Sequence, residues 1–517
     1  MAARGKIVAV DPAPKAPRFR VVCDRVFGKS GITEIEVEGD KIAGVRQISR
    51  VVAGKLPTYD ARGHTIIPGF IDSHVHAIAT GLTETAGSLR GVTTEDALVA
   101  KMRERWSGKG RLNRFAHFDL SVYKGDAPDG PWLDDEFDDA PAMVLLIEGH
   151  SAFVNSAAAR MIGLPKAALS SGGRPGLVAG AHYETLIDRV YSKITRAEKM
   201  DALETVTRIA VAQGVTTIHC LEGYADNPRD DFEAVVAYAK RSPIDLVLYP
   251  QTMDPTLPVQ LGLTRLGGCI LLDGAIGART AAVSKPYADT SRSNRGNLYM
   301  DDCEVYEWMR AGLANKLQPC VHAIGERAIG QALRVLAKLA DEFDLARVRP
   351  RVEHFTLPSS RHISQAAALH VASGMQPAFD HFWGGCGKKY AQALGEARSA
   401  RTNPVGILHR AGILVGGGSD SNVTPISPLL GIHSAVNHSN PAYRVTLPTA
   451  IRMFTEHGAR LAHEERRKGR IAEGLQADLA VIDGDFISRS SPQLKDARVL
   501  ATIARGAFVY GSLTKLK

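Results

Sequence analysis

From Arg18 to Asp60 apolar and polar residues alternate in short segments, FRVVCDRVFG and then GITEIEVEGDKIAGV, with a polar turn before GHTIIPGF. A period of two puts one row of side chains in a core and the other in water, the signature of a strand. Segments this short need several neighbours to hold a sheet. Similar text returns at the other end of the chain, in GRIAEGLQADLAVIDGDFI and ARVLATIARGAFVYG. The two ends therefore predict one small β-sandwich built from residues 1–67 and 466–517, with residues 68–465 inserted between them as a separate domain.

The inserted stretch has a different rhythm. Apolar runs of strand length, among them VTTIHCLEG, IDLVLYPQT, GCILLDG, QPCVHAIGE, PRVEHFTL and GILVGGGSDS, alternate with helix-periodic runs such as EDALVAKMRERW, KMDALETVTRIAVAQG and RAIGQALRVLAKLADEF. Alternation of this kind predicts βα units around a parallel sheet, and a (β/α)8 barrel of the TIM type is the best match. RFAHFDLSV, AMVLLIEGH and VASGMQPAF raise the set above eight strands, so one or two must lie outside the ring. Residues 79–116 and the segment GLVAGAHYETLID are expected to form a lid.

In such a barrel the chemistry sits at the carboxyl ends of the strands. Those ends carry His74 and His76 in TIIPGFIDSHVHAIATG, then His150, His219, Cys269, Asp273, His322, His354 and Asp420. His74 and His76 are two residues apart, so on a strand both imidazoles share one face. A lone His-x-His pair proves little, but a barrel brings ends that are distant in sequence to one mouth. Four histidines (74, 76, 322 and 354) and one aspartate suit Zn²⁺ best, with other divalent first-row metals as alternatives. Gly416 to Gly418 lack a following Lys-Ser/Thr, so they are not a phosphate loop. They let that strand end come close to a metal.

Composition narrows the partners. The net charge of +8 is dispersed, without a basic arm interleaved with aromatics, so nucleic acid is not an expected partner. EERRKGR reads as a solvated helix end and turn. Six scattered cysteines without a Cys-x-x-Cys pair suit a reducing compartment. The first twenty residues contain no apolar signal region and no run of 18 apolar residues occurs, so no membrane partner and a cytoplasmic location are expected.

PGFIDSHVH, GHSAFVNSAA, DGAIGARTAA, VHAIGERAI, RVEHF, VGGGSDSNVTPISPL and GRIAEGLQADLAVID occur in that order, and with them the chain resembles the amidohydrolase superfamily nearly end to end. Within it, the similarity is to the branch of YtcJ-like and N-substituted formamide deformylase-like proteins, amidohydrolase family 3. The resemblance implies that His74, His76 and Asp420 hold one metal and that His322 and His354 hold a second or contact substrate. It further implies Asp420 as general base, His354 as a group that polarises the scissile carbonyl, a small-molecule substrate and a homodimer. Residue chemistry agrees. A metal-bound water can have its pKa lowered to about 7, and a carboxylate touching it can take its proton and deliver it to a leaving nitrogen.

One position departs from the pattern. Where binuclear relatives bridge their metals with a carboxylated lysine or a glutamate on the fourth strand, the aligned residue here is Cys269 in GGCILLDGAIGARTA. Two divalent ions about 3.5 Å apart repel by roughly 19 kcal/mol at an effective dielectric of about 20, so a pair needs an anion between them. A bridging Cys269 thiolate serves; so does a single metal, and buried cysteine is also a common small hydrophobe. One or two Zn²⁺ ions per chain thus remain open.

Other residues have two readings each. His150, beside Glu148, Ser151 and Asn155, is expected to orient substrate; Asp273 and Arg279 flank a glycine-rich loop and either contact substrate or secure that loop as an ion pair. Trp383 in QPAFDHFWGGCG is placed on a pocket wall. His219 is a ligand or a core histidine, Cys320 reads as packing, and Glu326 as a helix-start acid. No Gly-x-Ser-x-Gly elbow occurs, so water is the expected nucleophile. The expected activity is hydrolysis of a non-peptide carbon–nitrogen bond: an amide, an N-acyl or N-formyl amine, or a cyclic amide. The rivals are a mononuclear deaminase of a heterocycle or amidine, and a non-catalytic regulator that binds metal or ligand.

Overall fold

The structure is a computed structural model that describes residues 18–51, 55–108, 110–120, 122–125, 128–137, 140–147, 151–223, 228–290 and 293–516. The chain divides into two compact units, one of Met1–Val75, Thr207–Glu222 and Val236–Lys517, the other of His76–Val206 and Gly223–Val235.

In the first unit the chain ends interleave. One sheet runs Thr514–Leu516, Thr58–Asp60, Arg18–Cys23, Thr33–Glu38, Lys41–Gln47; the other runs Ala507–Gly511, Val499–Ala504, Leu479–Ile482, Thr65–Pro68. Each sheet thus borrows a strand from the opposite terminus, with Lys515 opposite Tyr59 and Ala480 opposite Ile67. Alternation decides which side chains are buried: Phe19, Val21, Ile35 and Val37 from one sheet meet Ile66, Leu479, Val481 and Ile503 from the other in one apolar core.

The same unit holds eight parallel strands in sequence order: β1 (Phe70–Val75), β2 (Val215–Glu222), β3 (Asp245–Pro250), β4 (Arg265–Leu271), β5 (Gln318–Ala323), β6 (Arg351–His354), β7 (Ala372–Met375) and β8 (Leu414–Gly417). They form a three-stranded sheet, β3-β2-β1, and a five-stranded sheet, β4-β5-β6-β7-β8. A parallel bridge, Val75 to Ser421, ties β1 to the chain leaving β8. Among the described residues no ladder joins β3 to β4, so the ring expected from the sequence is present as two sheets rather than one closed barrel. The reason lies in β4. Gly267 and Gly268 adopt left-handed backbone angles (φ +100° and +49°), and the register with β5 jumps between Leu266 and Ile270. A Cβ on Gly268 would stand 2.7 Å from the Tyr249 carbonyl oxygen, so only glycine allows β3 this close. Bulges of this kind bend a strand and re-aim the side chain that follows, here Cys269.

Two of the expected strands lie outside this set. RFAHFDLSV and AMVLLIEGH supply Asn113–Phe118 and Ala142–Leu146, which pair in the second unit's own sheet with Gly87–Ser88, Ser151–Val154 and Leu177–Ala179. Phe115, Phe118, Leu133, Phe137 and Phe153 fill its core. Among the described residues no helix is long and apolar enough to cross a membrane.

Candidate metal centre

The ends of four strands of the first unit bring donor atoms together. His74 comes from β1, Cys269 from β4, His322 from β5 and His354 from β6, while Asp420 follows β8. All five are buried. Two of them sit where ordinary strand geometry would not put them: His354 has φ +67°, Phe355 after it +47°, and Asp420 +56°. Non-glycine residues rarely adopt such angles, which cost about 1–3 kcal/mol each and persist only where neighbours enforce them. The enforcement is visible. The Phe355 amide donates to the Glu353 carbonyl (2.8 Å) and the Asp420 amide to the His74 carbonyl (2.8 Å). Asp72 accepts from the Ser419 amide (2.8 Å), and Ser73 Oγ donates to the Gly417 carbonyl (2.8 Å). The glycines of β8 matter as expected: a Cβ on Gly418 would come within 2.7 Å of His74 Cβ.

Cys269 Sγ lies 3.6 Å from His322 Nδ1 and 3.8 Å from His354 Nε2, and His74 Nε2 lies 3.3 Å from Asp420 Oδ1. Within each of two triads, Cys269-His322-His354 and His74-His354-Asp420, the donor atoms are all within 4.8 Å of one another. The outward nitrogens are held by acceptors. His74 Nδ1 meets Glu353 Oε2 (2.7 Å), His354 Nδ1 meets Gln376 Oε1 (2.7 Å), and His322 Nε2 meets the Gly274 carbonyl (3.3 Å). Such outer acceptors fix the tautomer that leaves the inner nitrogen as a ligand. Three imidazoles, a thiol and a carboxylate in two triads that share His354 are donor types that fit a divalent cation. Burial opposes charge on His74, yet Asp420, Cys269 and Glu353 raise its pKa well above the ordinary histidine value. Burial likewise opposes charge on His322, and Cys269 and Asp273 outweigh it.

Beneath this cluster lies a feature that the sequence did not reveal. Arg351 is fully buried, its Nε and Nη2 forked onto Glu353 at 2.8 and 2.9 Å and its guanidinium 4.4 Å from the centre of the Tyr249 ring. It also donates to the Ser73 carbonyl (3.0 Å) and to His219 Nδ1 (3.1 Å). His219 is therefore an acceptor in the core; burial first, then Arg351, lower its pKa well below the usual value. Cys320 donates to Glu353 Oε1 (3.3 Å), and burial, then Glu353, push its thiol up.

Most of the remaining candidates make contacts of their own. Asp273 accepts from the amides of Ile324 (2.9 Å), Gly325 (2.8 Å) and Ala282 (2.8 Å), so it fastens its loop to the start of the helix Glu326–Leu339. Arg279 pairs with Asp289 rather than with Asp273. Trp383 packs on Phe379 (4.8 Å between ring centres), whose ring stacks on His354 (6.1 Å, 12°). Glu326 accepts from the Ser284 amide and hydroxyl, a structural role. His76, buried, is the N-cap residue of the helix Ala77–Thr85 with which the second unit begins. His150 and Glu148 lie outside the described residues. Asn155, their neighbour in sequence, caps the helix Ser156–Ile162 by accepting from the Ala158 amide (2.9 Å).

With this geometry in hand, comparison with known proteins is direct. The model of the amidohydrolase family matches residues 57–510. The chain is similar to the putative amidohydrolase YtcJ of Bacillus subtilis (strain 168), 28% identical over 493 residues that cover 87% of this chain and 89% of the relative. It is similar to the N-substituted formamide deformylase of Arthrobacter pascens, 22% identical over 525 residues, covering 92% and 94%. An uncharacterized metal-dependent hydrolase from Pyrococcus furiosus superposes with a TM-score of 0.75 at 22% identity, covering 91% of this chain and 99% of that one, a likeness of fold.

Proposed function

We propose that this chain, which belongs to the amidohydrolase family, hydrolyses a non-peptide carbon–nitrogen bond of a small molecule, an amide, an N-acyl or N-formyl amine or a cyclic amide, with Zn²⁺ as its metal. The observation that carries the reading is the pair of buried donor triads, Cys269-His322-His354 and His74-His354-Asp420, that share His354. In the same reading the eight parallel strands make up a (β/α)8 ring spanning residues 68–465, and the interleaved end sheets make up a sandwich of residues 1–67 and 466–517. His76, on the His74 face by its spacing, joins the ligands. Resemblance alone extends the reading to a homodimer in the cytoplasm.

When bound, the cation supplies a water whose pKa is lowered to about 7 and a Lewis acid for the carbonyl oxygen. Asp420 would accept a proton from the attacking water on a carboxylate oxygen and hand it to the leaving nitrogen. The backbone at Asp420 holds the carboxylate on the His74 side. His354, its Nδ1 held by Gln376, presents Nε2 toward the reacting carbonyl or a second cation. Cys269 touches His322 and His354 on one side and His74 on the other, the place a bridging thiolate would take between two cations. Asp273, Arg279, Trp383 and His150 are assigned to the substrate side: Asp273 lies 3.6 Å from His322, Arg279 pairs with Asp289 in the following loop, and Trp383 stands one ring away from His354.

Elemental analysis of purified protein and of Cys269→Ala, with hydrolysis of an amide and N-formyl panel, tests this. About two zinc ions per chain, falling in the variant, with amine release lost on chelation and regained with zinc, is the expected result. Ammonia release from heterocycles with one metal in both proteins would favour the deaminase, and metal without turnover of any amide, ester or amine the regulator.

A further inference from the structure

The largest polar investment in the core of the first unit makes no contact that the proposed chemistry uses directly. Arg351 and Glu353 stand two apart on β6, their side chains with no measurable exposure, and four donors surround the Glu353 carboxylate: Arg351 Nε and Nη2, Cys320 Sγ and His74 Nδ1. A buried ion pair of this kind costs desolvation and often contributes little to stability compared with apolar residues of similar size, so stability alone is a weak reason for its presence. Its surroundings are shaped to hold one carboxylate in one place. Arg351 is anchored to the Ser73 carbonyl, one residue before His74, and to His219 Nδ1, and it lies against the Tyr249 ring. On β7, Gly374 leaves the room: a Cβ there would stand 2.3 Å from Glu353 Oε2 and 2.8 Å from Arg351 Nη2.

We propose that Glu353, locked by Arg351, is a positioning residue that holds the proton of His74 on Nδ1 and so turns Nε2 toward Asp420 as a metal donor. The assignment rests on the metal-centre reading above for its use, and on the Glu353–His74 hydrogen bond (2.7 Å) for its geometry. Because both carboxylate oxygens are filled by donors, Glu353 is not itself a ligand. Because the acceptor is a carboxylate rather than an amide, it also makes the imidazole a stronger donor to a cation. Gln376 does the weaker version of the same for His354.

The test compares wild type, Glu353→Gln, the double variant Arg351→Met/Glu353→Met, and Gly374→Ala, with circular dichroism confirming the fold of each. Zinc affinity is read by competition with a chromophoric chelator, and the Nδ1 proton of His74 by its downfield NMR signal in histidine-labelled protein. The double variant removes both charges together and avoids leaving one buried alone. It is expected to bind zinc about 10- to 100-fold more weakly and to lose the signal. Glu353→Gln, which keeps an acceptor oxygen, falls between it and wild type, and Gly374→Ala weakens zinc by displacing the carboxylate without removing it. Equal zinc affinity in all four with only the melting temperature lowered, or no such signal in the wild type, overturns the proposal. Wild type that keeps the signal yet takes up no zinc sinks the metal centre and leaves the orientation of His74 standing.

Discussion

Two polar clusters, one half-buried and one buried, occupy opposite ends of the parallel strands, and their make-up differs. At the amino end of β3, Asp245 receives Lys468, Arg467 (2.6 Å), Gln476 (3.0 Å) and Arg505 (3.4 Å), and Lys468 also reaches Thr217 (2.9 Å). Anion and cations answer one another there, and the protein completes its own charge balance. At the carboxyl ends, Cys269-His322-His354 and His74-His354-Asp420 gather lone-pair donors into two triads, on a backbone bent into rarely used angles. The first arrangement needs nothing from outside. In the proposed reading the second is completed by a cation, which would separate a cluster kept for stability from one kept for chemistry.

Substitutions at the two ends should separate cleanly. Asp420→Asn is expected to lower turnover of whichever amide the panel identifies by about 10²–10⁴-fold, with the urea midpoint unchanged or slightly higher. A variant retaining near-normal turnover would remove the general base from the scheme. Asp245→Asn is expected to do the reverse: turnover per folded molecule preserved, and unfolding free energy lowered by about 3 kcal/mol because buried Lys468 keeps only the more distant Glu464 (3.5 Å) as its anion. Urea denaturation measures that loss, and turnover falling with it would show that the two ends are not independent.

The smallest effect concerns acid. Burial works against charge on Asp245, but Lys468 and Arg467 hold its carboxyl down to about 2, against an ordinary value of 3.8. A depressed folded pKa gives stability that is full above about pH 4 and is lost as the pH falls toward 2, here about 2 kcal/mol. Asp478 in the same cluster is pushed the other way by burial. The difference between wild type and Asp245→Asn, followed by chemical denaturation from pH 5 to pH 2.5, therefore isolates the Asp245 part. Parallel curves would show that the cations around it contribute nothing.

Much of the candidate site was readable because its candidate ligands His74, His322, His354 and Asp420 follow apolar runs at strand ends. The pairing of the chain ends was legible from alternation alone. Arg351 and Glu353 were not. Alternation along RVEHF puts Glu353 on the face opposite His354, and only the left-handed turn at His354 and Phe355 lets both neighbours point into the centre. No residue type in that stretch announces such a turn, since glycine is absent from it. The bulge at Gly267-Gly268 was equally hidden: two glycines in an apolar run signal a kink but not the break between β3 and β4. Arg279 was matched to Asp273 by proximity in sequence, whereas its partner is Asp289, ten residues away across a loop whose path composition does not dictate.

The exchange of edge strands between the two termini sets the timing of assembly during synthesis. Thr58–Asp60 acquires its outer neighbour only when Thr514–Leu516 has left the ribosome, and Thr65–Pro68 waits for Leu479–Ile482. Until those later segments are made, Thr58–Asp60 and Thr65–Pro68 keep unpaired edges open to other chains.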